Sequence, residues 1–154
     1  MWRTSVGWVT GATSSSGAPT PSSEPAWNRQ ADVLRDARIL VVEDEFMVAA
    51  LLQDRLVDLG CDVVGPASNI EEALELLATE QIDAAVLDVN ISGRMVFPVA
   101  DALAERKVPF VFATAYGGAG LVEPHAERTV LNKPYHERAL EHALRAALLG
   151  RTRN

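Results

Sequence analysis

Asp88 closes the apolar run IDAAVLD (82–88), and three further polar positions also stand where hydrophobic runs give way to loops. They are the acidic cluster Glu43, Asp44 and Glu45 after RILVV, Thr114 at the end of PFVFA, and Lys133 just after TVLN. In a parallel α/β sheet such positions meet at the carboxyl edge of the strands, where open sheets bind ligands. Carboxylates for a metal, an aspartate open to modification, a hydroxyl and an ammonium form a set suited to a phosphoryl group.

Each residue taken singly has an ordinary structural explanation. Asp44 could cap the following helix, and Glu45 could sit at its positive end. Thr114 could bond its own backbone, and Lys133 could be a solvated lysine before a proline. These explanations leave unaddressed why all the groups fall at the ends of the first, third, fourth and fifth strands.

Those strands are read from a fivefold alternation that begins near residue 37. RILVVE (38–43) and IDAAVL (82–87) suit central parallel strands, and CDVVG (61–65), PFVFA (109–113) and TVLN (129–132) are the others. Amphipathic helices separate them: Ala49, Leu52, Leu56 and Leu59 share one face, and Ile70, Ala73, Leu74 and Leu77 another. Ser68 and Glu71 have capping-box spacing for the second helix. Val96, Val99, Ala100 and Leu103 mark a third, with Pro98 in its first turn, and Leu140, Ala143, Leu144, Ala147 and Leu148 mark the last. Gly117, Gly118, Gly120 and Pro124 leave at most a short helix around 119–127. Right-handed βα alternation gives a three-layer, doubly wound (βα)5 sandwich. With the strand order 2-1-3-4-5, the four site-bearing strands are adjacent. The expected organisation is an extension over 1–36, one domain over 37–150 and a short tail over 151–154. The extension is Ser-, Pro- and Gly-rich and reads as disordered, and its Trp2, Trp8 and Trp27 are either partner contacts or part of an over-long start.

Composition narrows the function classes. The chain has 154 residues and a net charge of −7, without the basic footprint of a nucleic-acid binder. No apolar stretch approaches membrane-spanning length, no signal-peptide core is present, and the single Cys61 fits a reducing cytoplasm. Of 14 basic residues only Lys107 and Lys133 are lysines, the compact point-charge choice.

Together these residues make the sequence resemble the receiver domain of bacterial two-component response regulators over 37–149. The resemblance rests on Glu43-Asp44, Asp88, Thr114, Lys133-Pro134 and the 44-residue step from Asp44 to Asp88. It implies a flavodoxin-like fold and a Mg²⁺-dependent phosphotransfer to Asp88 from a phosphohistidine on a sensor kinase or phosphotransfer protein. Asp44, Asp88 and the Asn90 backbone carbonyl would hold the ion directly and Glu43 through water, while Thr114 and Lys133 would bind the phosphoryl oxygens. It also makes Lys133-Pro134 a candidate cis peptide. The chain departs from the common pattern at Val130, where an aromatic switch is usual. Instead Tyr116 stands within PFVFATAYGG, which resembles the signature of atypical single-domain receivers called FATGUY proteins, with Ala115 in place of glycine. That subfamily is associated with stress-response kinases, and Tyr116 becomes the expected switch.

Two rivals remain in view. An aspartyl-phosphate phosphatase needs paired aspartates two apart after its first strand, whereas the residue two beyond Asp88 is Asn90. A pure interaction module would not need Asp88, Thr114 and Lys133 together. A DNA-binding role is not expected within this chain, since about five residues follow the last expected helix.

Overall fold

The computed structural model describes residues 33–115 and 128–153, with side chains through 150. Tyr116 and the short helix expected around 119–127 lie outside the described residues. The elements run β1 (Arg38–Val42), α1 (Phe46–Asp58), β2 (Asp62–Ala67), α2 (Ile70–Thr79) and β3 (Ala84–Asp88). They continue with β4 (Asn90–Ile91), β5 (Arg94–Met95), α3 (Phe97–Glu105), β6 (Phe110–Thr114), β7 (Val130–Asn132) and α4 (Glu137–Arg153). Five parallel strands form one sheet in the order β2-β1-β3-β6-β7, which is the expected 2-1-3-4-5 arrangement.

Side chains alternate across the central strands, so the sheet divides two apolar layers. Leu40, Val42, Ala85, Leu87, Phe110 and Phe112 face one layer, which α2 and α3 close with Ile70, Ala73, Leu77, Val99, Ala100 and Leu103. Ile39, Val41, Ala84, Val86, Val111 and Ala113 face the other, which α1 and α4 close with Leu52, Leu56, Leu140 and Leu144. Both faces of β1 and β3 are thus covered, which is why these strands read as continuous apolar runs. Phe112 anchors the first layer, with Phe110 edge-on at 5.4 Å and Phe97 at 6.4 Å between ring centroids.

Four details differ from the expectations. The packed unit begins at residue 33 instead of 37, because Leu34 is only 1% exposed and lies in the α1–α4 layer. The last helix runs to Arg153, so 151–153 belong to α4 and not to a tail. Asn69 caps α2 in place of Ser68: its side chain accepts from the Glu72 N–H at 2.7 Å, and Glu72 accepts in return from the Ser68 N–H at 3.0 Å. The capping pair is therefore displaced by one residue. Finally, β4 and β5 form an unanticipated two-stranded antiparallel hairpin between Asp88 and α3.

An irregularity on β2 bears on the site. Gly65 has φ +97°, and a Cβ there would stand 2.7 Å from the Ala67 nitrogen, so glycine is required. The register with β1 shifts at this point, Ala67 pairs with Val42, and the Ala67 carbonyl accepts from the Glu43 N–H at 2.9 Å. The ladder thereby continues one residue past β1 and fixes the first site carboxylate.

Candidate phosphoryl-acceptor and metal site

Four strand ends bring the expected residues to one edge. Glu43 follows β1 and is only 4% exposed. Its Oε1 accepts from the Glu45 N–H at 3.1 Å, and its Oε2 accepts from Lys133 Nζ at 2.7 Å. Asp44 is exposed and does not cap α1, whose N-cap is Glu45 without a side-chain capping bond. Asp44 Oδ2 instead accepts from the Ser92 N–H at 2.9 Å. Asp88 is the last residue of β3, with Oδ2 at 3.4 Å from Lys133 Nζ and Oδ1 accepting a long 3.4 Å bond from the Asn90 N–H. Glu43, Asp44 and Asp88 each offer a carboxylate oxygen, all within 4.8 Å of one another.

Thr114 ends β6 and is 2% exposed. Asp88 pairs with Ala113 across β3 and β6, so Thr114 stands one residue beyond the aspartate on the neighbouring strand. Its carbonyl accepts from the Lys133 N–H at 2.9 Å, which ties the hydroxyl-bearing and ammonium-bearing residues together through the backbone. The Lys133–Pro134 bond is cis, as is Gly65–Pro66. Ala115 beside Thr114 is exposed.

The electrostatics follow from crowding like charges in a half-buried place. Burial, and then the neighbouring Glu43 carboxylate, push the Asp88 carboxyl up to about 6, against the opposing pull of Lys133 and the Asn90 N–H. Burial disfavours the Lys133 ammonium, but its bond to Glu43 and its proximity to Asp88 outweigh that and raise its pKa. One cation thus serves two carboxylates, and Asp44 adds a third negative charge. The donor set is hard oxygen, which suits Mg²⁺, an ion that takes about six oxygens and keeps several waters. Lys133 holds Glu43 at 2.7 Å but stands 3.4 Å from Asp88, and Asp44 is exposed, so Asp44 and Asp88 are the carboxylates better placed to approach an ion directly.

Two partnerships had little trace in the sequence. Lys133 and Glu43 are 90 residues apart, and no local pattern links them. The Ser92 N–H that reaches Asp44 belongs to a turn whose Ser-Gly dipeptide was the available signal.

The chain belongs to the response regulator receiver domain family, whose model matches residues 39–145. The family acts in phosphorelay signalling. Among solved structures, the chain is similar to SdrG from Sphingomonas melonis Fr1, with 43% identity and TM-score 0.65, covering 73% of this chain and 96% of that one. It is also similar to the PhyR stress response regulator, with 27% identity and TM-score 0.67, covering 84% of this chain and 52% of that one. A third is the response regulator TrrA from Thermotoga maritima in complex with Mg²⁺–BeF, with 26% identity and TM-score 0.65, covering 73% and 99%. The chain spans about half the length of the curated relatives it matches. Among the described residues no helix is long and apolar enough to cross a membrane.

Proposed function

We propose that the chain is a response regulator that accepts a phosphoryl group on Asp88 from the phosphohistidine of a sensor kinase or phosphotransfer protein, in a Mg²⁺-dependent reaction. The observation that carries this reading is the convergence of Asp88 with two further carboxylates within 4.8 Å and with Lys133 Nζ at 3.4 Å. An Asp88 carboxylate oxygen attacks phosphorus, the new O–P bond forms as the N–P bond breaks, and the electron pair returns to the imidazole nitrogen. With its pKa near 6, Asp88 is mostly ionised at neutral pH and competent to attack. Mg²⁺, when bound, offsets the repulsion between these carboxylates and the incoming phosphoryl oxygens. Asp44 and Asp88 would hold the ion, and the Asn90 backbone carbonyl would add a third oxygen.

Lys133 exchanges part of its bond to Glu43 for a phosphoryl oxygen, and Thr114 donates its hydroxyl to another. Each such charge-assisted bond contributes roughly 1.5–3 kcal/mol, enough for two of them to shift a conformational equilibrium by a factor of hundreds. Tyr116, two residues beyond Thr114, carries the change to a downstream protein partner. The kinase-side partner approaches over α1, which exposes Phe46, Met47 and Leu51 beside the site. Such a donor is met in the cytoplasm, and the likeness to the PhyR stress response regulator, together with the FATAY motif, supports a stress-response setting.

Acetyl phosphate and Mg²⁺ should add one acid-labile phosphoryl group, detected as a single mass increment that EDTA prevents. Labelling of Asp88→Asn at the wild-type rate would remove Asp88 as the acceptor.

A further inference from the structure

We propose that the Asn90 side chain is a positioning residue for the cation: through the Ser92–Gly93 turn it holds the Asp44 carboxylate in the site. This rests on the metal reading above and adds the element that makes an exposed carboxylate part of a fixed ligand set.

Asp44 has reason to leave the site. It is exposed, does not cap α1, and has carboxylate oxygens of Glu43 and Asp88 within 4.8 Å, so repulsion and rotamer entropy both favour turning to solvent. What opposes this among the described residues is the 2.9 Å hydrogen bond from the Ser92 N–H, 48 residues away. That N–H is aimed by the two-residue loop closing β4 on β5, where Ile91 pairs with Arg94. Ser92 and Gly93 have φ +53° and +83°, positive at both central positions as in a type I′ turn. Serine is a poor occupant of that conformation, so the turn needs a fastening. The Asn90 Oδ1 supplies it by accepting from the Gly93 N–H at 3.0 Å. The Asn90 backbone N–H faces Asp88 Oδ1 at 3.4 Å, so one residue touches the acceptor aspartate with its main chain and braces the Asp44 clamp with its side chain. The outer strand is anchored separately, by Arg94 on Glu71 of α2 at 2.6 Å.

The turn can be perturbed without touching a ligand. A Cβ at Gly93 meets nothing within 4 Å, so a substitution there acts through backbone conformation alone. Asparagine tolerates positive φ, whereas valine does not. Mg²⁺ affinity of the full chain would be measured by titration calorimetry for wild type, Asn90→Ala, Gly93→Val, Gly93→Asn, Asp44→Ala and the Asp44→Ala/Asn90→Ala double variant. Asn90→Ala and Gly93→Val should each weaken binding about five- to tenfold while the melting temperature stays within a few degrees. Gly93→Asn should remain near wild type, and Asn90→Ala should cost nothing further once Asp44 is alanine. Wild-type affinity in both Asn90→Ala and Gly93→Val, or full additivity with Asp44→Ala, overturns the clamp and leaves the metal site standing. Absence of Mg²⁺ binding by wild type overturns both.

Discussion

At Asp88, function and stability pull in opposite directions. Its carboxyl is pushed up to about 6 by burial and by Glu43, whereas an unfolded aspartate titrates near 3.9. The folded chain therefore binds this proton more tightly than the unfolded chain does. The resulting stability is fully present below pH ~4 and is lost as pH rises through about 6. In metal-free buffer Asp88→Asn should accordingly stabilise the protein at pH 7.5, by on the order of 2–3 kcal/mol, and by little at pH 4. Urea unfolding in EDTA at the two pH values checks this, and an equal gain at both would separate the stabilisation from the ionisation of Asp88. Adding Mg²⁺ at pH 7.5 should narrow the gap between wild type and variant, because a ligand that binds only the folded form stabilises it by mass action.

The extent to which each element could be read from the sequence followed its physical periodicity. The five main strands and four helices were readable because both faces of the sheet are covered and each helix shows one apolar stripe, as Ala49, Leu52 and Leu56 do on α1. The β4–β5 hairpin was not, since two-residue strands built from Asn90, Ile91, Arg94 and Met95 carry no period. The cap of α2 lies one residue beyond the expected position because Ser68 and Asn69 are both good caps and each has a glutamate three residues on. The acidic cluster, Thr114 and Lys133 were readable as strand ends, but their partners were not, for hydrogen bonds across 48 and 90 residues leave no local mark. Leu34 lies in no repeat and so reads as part of the extension, yet it is 1% exposed. Leu34→Ala should therefore cost about 2–4 kcal/mol in chemical denaturation. Removing residues 1–32 should leave the unfolding midpoint near that of the full chain, and removing 1–36 should lower it by a comparable amount to the point substitution. Equal midpoints for the two truncations would show that Leu34 packs without stabilising.

The domain that begins at residue 33 has its site at one edge of a three-layer sandwich and needs a moving part to report its state. Val130, three residues before Lys133, is half-buried against the α2–α3 layer and has too small a side chain to swing between two environments. The output task therefore falls on Tyr116 in the proposed function. Tyr116→Ala should be phosphorylated at close to the normal rate yet fail to change affinity for the downstream partner on phosphorylation. The check is a pull-down or binding titration with and without beryllofluoride. A phosphorylation-dependent change as large as that of wild type would remove Tyr116 from the output route.

The ion pair between Glu43 and Lys133 also sets a timetable. The two residues are 90 positions apart, and at about 5–20 residues per second a ribosome delivers them roughly 5–18 s apart. Throughout that interval the emerging chain adds its strands from β2 onward without the cation that makes burial of the Glu43 carboxylate tolerable. The acidic edge has to stay hydrated until β7 arrives, so the penultimate element seals the domain and completes the site in one step. Nascent chains stalled before residue 133 should remain open to protease at the β1–α1 junction, and those stalled after α4 has cleared the exit tunnel should not.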